Sequence, residues 1–221
     1  KVCDGFFLGQ MLLIRPMNPK LPLKISQIGY GNWGKRLWAT VKRLPEFSPQ
    51  HVLVRNPSQY AAENISATDD LTKLLDHSAA LILALPPAAQ GQYLREIIKY
   101  QRPIFAEKPL VASMAELSTI KQLAADYKTS IMVDYIYLFN PAYTELKKIC
   151  KQQRAIKFIK SFGGNHGPFR AYSSLWDYGP HDIALILDLL QQTPRAVKAR
   201  ILNFAGDKFN TECELEFAGV N

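Results

Sequence analysis

The sequence predicts an α/β fold: a parallel sheet of βαβ units in the first part of the chain, then an α+β region with a different pattern. Three observations predict it. Short apolar runs with β character alternate with helical stretches up to about residue 130. The first run feeds directly into Gly29-Tyr30-Gly31-Asn32-Trp33-Gly34, a G-x-G-x-x-G segment that opens a helix. Beyond that point the alternation gives way to longer helices followed by two closely spaced strands.

Each element has its own signal. Residues 24–29 read as a short buried strand, and residues 32–44 as a helix with Trp33, Leu37 and Val41 on one face. His51 to Val54 is the second strand. Asp69 or Asp70 caps a helix over Leu71 to Asp76. Ala80 to Leu85 is the third strand, stopped by Pro86-Pro87. A helix from about Ala88 to Tyr100 leads to a strand ending at Lys108. Ser113 caps the next helix, and Glu116 three residues on completes a capping-box pattern.

Ile131 to Phe139 is a further β-rich run. Then come a helix from Pro141 to Lys151, a strand at Ala155–Phe162, a glycine-rich loop to Ser174 and a helix to about Gln192. Strands near Val197–Phe204 and Thr211–Phe217 close the chain. The expected division is a leader or poorly ordered segment at 1–23 (Met17 would be a natural start), a dinucleotide-binding domain at 24–130 and a second domain at 131–221.

Composition narrows the classes. With 221 residues and 48% hydrophobic content, a sizeable core is expected and disorder is not. No apolar run approaches the roughly 18 residues of a membrane span. Phe6 to Ile14 is short and broken by Gly9 and Gln10, a poor secretory signal. The three cysteines, Cys3, Cys150 and Cys213, are odd in number and widely spaced. They suit reduced thiols in a cytoplasmic protein rather than a disulfide framework or zinc site. The net charge of +8 is scattered without a basic run, so nucleic acid is not the expected partner.

The chemistry-bearing residues fall in three places. Glycines are needed in the first motif for a tight turn, for close approach of backbone to a pyrophosphate, and for helix packing. The helix N-terminus then offers N–H groups to the phosphates. The second strand ends in Arg55-Asn56 with no acid to take a ribose hydroxyl. Arg55 either pairs with a 2′-phosphate, which would favour NADP over NAD, or is a solvated loop arginine. The third strand is closed by Pro86, and the fourth by Glu107-Lys108-Pro109. A lysine at the carboxyl end of a buried strand stands where open α/β sheets bind ligands. The cofactor-binding set is therefore Gly29, Tyr30, Gly31, Asn32, Trp33, Gly34, Arg55, Pro86, Glu107 and Lys108.

Downstream, Asp177 and His181 are four apart and would share a helix face, where a carboxylate can orient an imidazole. They could also ligate a metal, but no third ligand has suitable spacing, so no metal is expected. His166, Arg170 and Tyr172 sit in the preceding loop as weak substrate-binding candidates, or as solvated loop residues. Tyr135 and Tyr137 read as packing residues.

Gly29-x-Gly31-x-x-Gly34, Glu107-Lys108-Pro109 and Asp177-x-Gly179-x-His181 stand in the order and approximate spacing of the Gfo/Idh/MocA oxidoreductases, which the chain resembles over about residues 24 to 221. The phrase Leu175-Trp176-Asp177-Tyr178-Gly179-Pro180-His181-Asp182 is similar to members acting on sugars or nucleotide sugars. The resemblance implies a Rossmann domain followed by an α+β domain with an open, mostly antiparallel sheet, often an oligomer interface. It implies hydride transfer between NAD or NADP and a secondary alcohol of a sugar, polyol or nucleotide sugar. Lys108 would hold the sugar hydroxyl and His181 would carry the acid/base step, with Asp177 behind it. Two features depart from the pattern: the second domain is short for the family, and the acid after the second strand is missing. A non-catalytic dinucleotide-binding regulator or scaffold of the same fold is the alternative.

Overall fold

A computed structural model describes residues 21–153, 156–164, 174–205 and 208–219. Among these, one compact unit closes at Asp134 and a second opens at Tyr135.

The first unit is a six-stranded, wholly parallel sheet in the order β3-β2-β1-β4-β5-β6. Its elements are β1 (Leu23–Ile28), α1 (Asn32–Val41), β2 (Phe47–Leu53), β3 (Ala67–Thr68), α2 (Leu71–Asp76), β4 (Ala80–Leu83), α3 (Pro87–Ile97), β5 (Ile104–Glu107), α4 (Met114–Asp126) and β6 (Ile131–Asp134). This order reverses direction between β1 and β4, which defines a doubly wound sheet with its crevice at their carboxyl ends. The four residues of β4, Ala-Leu-Ile-Leu, are all buried, as a central parallel strand covered on both faces requires. Alternation divides the core into two layers. Ile28, Leu81 and Leu83 pack with Leu74, Leu94 and Ile97 on one face. Ile25, Val52 and Ile82 pack with Trp38 and Val41 on the other.

Two helix starts follow the sequence signals. The Asp70 carboxylate accepts the Lys73 N–H at 3.0 Å, and the Ser113 hydroxyl accepts the Glu116 N–H at 3.2 Å. The reciprocal half of the capping box is displaced, because Glu116 Oε2 accepts from Ala112 N and Oε1 pairs with Arg95. Strand β2 starts earlier than expected and contains Pro49. That proline is tolerated because β3 pairs only with Val52 and Leu53, leaving the outer side of β2 unladdered at residue 49.

The helix α1 buries Gly34, Trp38 and Val41, so that of the expected Trp33, Leu37 and Val41 only Val41 is on the buried face. The β-rich run from Ile131 to Phe139 divides: β6 stops at Asp134 and Ile136–Phe139 is a 3₁₀ turn. The ladder ends at the Glu107–Asp134 pair, so an edge strand beyond that point has nothing to bond.

The second unit contains α5 (Pro141–Gln153), α6 (Ser174–Asp177), α7 (Gly179–Leu190), β7 (Ala196–Ala205) and β8 (Lys208–Glu216). The last two form an antiparallel pair. Residues 156–162, expected as a strand, are not one. Phe158 is 73% exposed and Phe162 98%, and among the described residues no strand pairs with this segment to satisfy its backbone. Helix α5 is tied to α7 by a polar knot: the Tyr143 hydroxyl donates to Asp188 at 2.6 Å and lies 3.0 Å from the Leu185 carbonyl oxygen. Lys147 Nζ donates to Asp188 at 2.6 Å. Burial raises the Asp188 carboxyl, but the hydrogen bonds from Lys147 and Tyr143 outweigh it and hold it below its ordinary value.

Candidate functional site

The loop from β1 to α1 divides the three glycines of the fingerprint by task. Gly29 has φ +95°, and a Cβ there would lie 2.4 Å from the Ala84 carbonyl oxygen. This glycine lets the ends of β1 and β4 close together, a contact sealed by Ala84 N donating to Ile28 O at 2.9 Å. Gly34 sits against the loop itself: a Cβ would lie 2.7 Å from Gly29 O. Gly31 has an ordinary φ of −73° and a Cβ there would meet no protein atom within 4 Å. Neither conformation nor packing explains a glycine at that position; room for a closely approaching ligand does.

Beneath the loop lies a residue that sequence reasoning passed over. Gln27 is fully buried, and its Nε2 donates to Gly29 O at 2.8 Å and Gly34 O at 2.9 Å. A glutamine in a buried strand was the available signal, since a buried amide must find partners. These bonds tie the two ends of the fingerprint together and fix its backbone. The loop N–H groups and the N-terminus of α1 form the part that would accept phosphates.

Four further expected residues stand at or after the ends of strands of the same sheet. Arg55 follows β2 and is exposed. Pro86 caps α3 after β4. Glu107 ends β5, and Lys108 follows with a cis bond to Pro109. The expected cofactor-set residues thus lie at or beyond the carboxyl ends of β1, β2, β4 and β5.

Trp33, left out of the α1 core face, donates its indole N–H to Glu107 Oε1. Glu107 also shares a side-chain hydrogen bond with Asp134, its register partner on β6. Burial raises the Glu107 carboxyl to about 8, and the neighbouring Asp134 adds to the rise while the Trp33 bond works against it. Burial raises Asp134 as well. Two carboxyls so placed hold a proton between them at neutral pH.

In the second unit His181 is buried, in the first turn of α7. Its ring meets Tyr137 edge-to-face at 4.7 Å and Tyr178 at 5.8 Å. Tyr137 is therefore a packing residue as expected, and the surface it packs is the histidine. Asp177 does not share a continuous helix with His181: it ends α6, and Tyr178 separates it from α7. Pro180 at the second position of α7 has no N–H to continue a ladder, which accounts for the break. His166, Arg170 and Tyr172 lie outside the described residues. Among the described residues no group of three His, Cys, Asp or Glu side chains is placed to hold a metal, and no helix is long and apolar enough to cross a membrane.

A doubly wound sheet whose fingerprint loop keeps open space at its middle glycine defines a dinucleotide-binding unit. The model of the Gfo/Idh/MocA oxidoreductase family, an NAD-binding Rossmann fold, matches residues 23–135, and the chain belongs to that family. Among solved structures, one from Magnetospirillum magnetotacticum MS-1, classed as an oxidoreductase, is 28% identical with a TM-score of 0.77, covering 90% of this chain and 68% of that one. GenD2 from gentamicin A biosynthesis, solved in complex with NAD, is 20% identical with a TM-score of 0.77, covering 95% and 66%. The scyllo-inositol dehydrogenase of Lactobacillus casei is 17% identical with a TM-score of 0.69, covering 82% and 59%. The chain thus spans about two thirds of the length of these structures. No curated protein matches it.

Proposed function

We propose that the chain is an NAD(P)-dependent dehydrogenase or reductase acting on a secondary alcohol of a sugar, polyol or nucleotide sugar. The observation that carries this reading is Gly31: a glycine that the fold does not need, at the point where the fingerprint would admit a pyrophosphate. Family membership and the NAD-bound relative support the cofactor class. Arg55, exposed after β2 where no acid stands, favours NADP over NAD.

Gly29 to Gly34 would hold the phosphates, with Arg55, Pro86 and Glu107 flanking the rest of the cofactor. A nicotinamide held there would supply the hydride chemistry. The Lys108 ammonium stabilises charge developing on the alcohol oxygen, and His181 takes or returns the hydroxyl proton. Asp177 supports the charged imidazole. Tyr137 and Tyr178 hold the His181 ring in place by edge contacts. His166, Arg170 and Tyr172 would contact the substrate. The proposed division is a cofactor domain over 24–130 and a substrate domain over 131–221, with self-association through β7 and β8 and a cytoplasmic location.

Mixing the protein with NAD or NADP and a panel of sugars, polyols and nucleotide sugars tests the reading through the reduced-nicotinamide absorbance band. Turnover that disappears in Lys108→Ala and His181→Ala is the expected result. Tight dinucleotide binding with no turnover on any member of the panel would favour the regulator reading. Tighter binding of NAD than of NADP would remove the role given to Arg55.

A further inference from the structure

Gln90 lies in α3 and is fully buried. Its Nε2 is 2.6 Å from the Glu107 carbonyl oxygen, 3.0 Å from that of Leu110 and 3.3 Å from that of Pro109. These oxygens bracket Lys108, one before it and two after it. The amide oxygen of Gln90 is also buried and has no hydrogen-bond partner. Turning the amide over would point that oxygen at three carbonyl oxygens, so the orientation is fixed by the loop. A buried carbonyl without a donor destabilises the fold, a cost that a leucine at this position would avoid. The fold carries that cost where its return is order in one short segment.

We propose that Gln90 is a positioning residue for Lys108, clipping together the main-chain oxygens on either side of it so that the lysine leaves β5 in one direction. This deepens the proposed function, because it rests on Lys108 being a site residue. An N–H donor is the working feature. The two amide hydrogens serve the two shorter contacts, and the third is the weakest by distance. Without them, the Glu107–Leu110 segment has buried carbonyls with no donor and relaxes toward water. Lys108 then samples several directions rather than one, and alignment with a bound alcohol is lost.

The experiment compares Gln90→Leu, Gln90→Asn and Gln90→His with Thr129→Val. Thr129 is a stability control: it is buried, and its hydroxyl donates to Ile98 O at 2.6 Å. Two readouts are taken on each protein. One is the rate at which an amine-acylating probe labels Lys108, followed by mass spectrometry against the other lysines. The other is NADPH affinity by fluorescence. Gln90→Leu is expected to change Lys108 labelling severalfold and to weaken NADPH by about tenfold, an alignment-sized loss. Gln90→His, which keeps an N–H donor, should recover most of both. Thr129→Val should lower the melting temperature without moving either.

If Gln90→Leu does not fold, Gln90→Asn keeps the polarity with a shorter reach and must show the same labelling change. Unaltered Lys108 labelling in the folded Gln90 variants overturns the proposal, as does an equal change in Thr129→Val. Should the unmodified protein bind neither NADPH nor NADH, the dinucleotide reading falls, while the labelling comparison still decides whether Gln90 positions Lys108.

Discussion

In the unit that closes at Asp134, the central strand β4 is buried at every residue, whereas in the unit that opens at Tyr135, β7 leaves Val197 59% and Ile201 52% exposed. The parallel sheet is fixed by burial on both faces, and its loops inherit that rigidity at the carboxyl ends of the strands. The β7–β8 pair is fixed by its cross-strand neighbours. Val197 opposite Leu215 and Ala199 opposite Cys213 share one face, while Lys198–Glu214 and Arg200–Glu212 form ion pairs on the other. Functional precision is therefore expected where a side chain or glycine is locked between strands, and tolerance where a ribbon meets water.

The contrast sets a scale of effects. Gly29→Ala is expected to be the largest, at about 3 kcal/mol or more in chemical denaturation, because positive φ and collision with Ala84 act together. Gly31→Ala is its counterpart. It should leave stability within about 0.5 kcal/mol of the parent while weakening dinucleotide affinity at least about tenfold, since it fills space that no protein atom occupies. Equal losses of stability at the two positions would break the separation between folding glycine and ligand glycine.

A pH effect should come next and should belong to the first unit. The Glu107 carboxyl is raised to about 8, so between its unfolded value and that pH the folded state holds more proton than the unfolded one. Stability from this group is thus complete below the unfolded value and lost as pH rises through about 8. The free energy of unfolding should fall from pH 5 to pH 9 by a term on the order of 2 kcal/mol once solvent screening of this partly exposed carboxyl is allowed for, and Glu107→Gln should flatten the slope. A slope that survives the substitution would move its origin elsewhere.

Smaller effects are expected in the second unit. Tyr143→Phe removes the donor to Asp188 and should cost about 1–2 kcal/mol. Glu212→Ala removes an exposed ion pair with Arg200 and should change stability by less than about 0.5 kcal/mol. If the ribbon substitution proved the more damaging, the cross-strand account of β7 and β8 would need revision.

Sequence periodicity was enough for the elements whose signals are local. Asp70 and Ser113 cap the helices they precede, and the fingerprint lies between a strand and a helix. It was not enough where the outcome depends on a neighbour. β6 stops because β5 offers no further ladder, and among the described residues no strand pairs with residues 156–162. Strand β3 is only two residues long and carries no periodicity. In the candidate site, Lys108 and the glycines were legible from motif spacing. Gln27, Gln90 and the Trp33–Glu107–Asp134 link were not, because each depends on which distant backbone or carboxyl a side chain meets after folding.

The most direct test of the dehydrogenase account is a crystal structure of the chain with its dinucleotide and an alcohol substrate bound. The account predicts that Lys108 Nζ and the His181 imidazole both approach within about 4–5 Å of the alcohol oxygen whose carbon faces the nicotinamide. An ordered nicotinamide with either group facing away from it, and with bulk solvent in its place, would contradict the account.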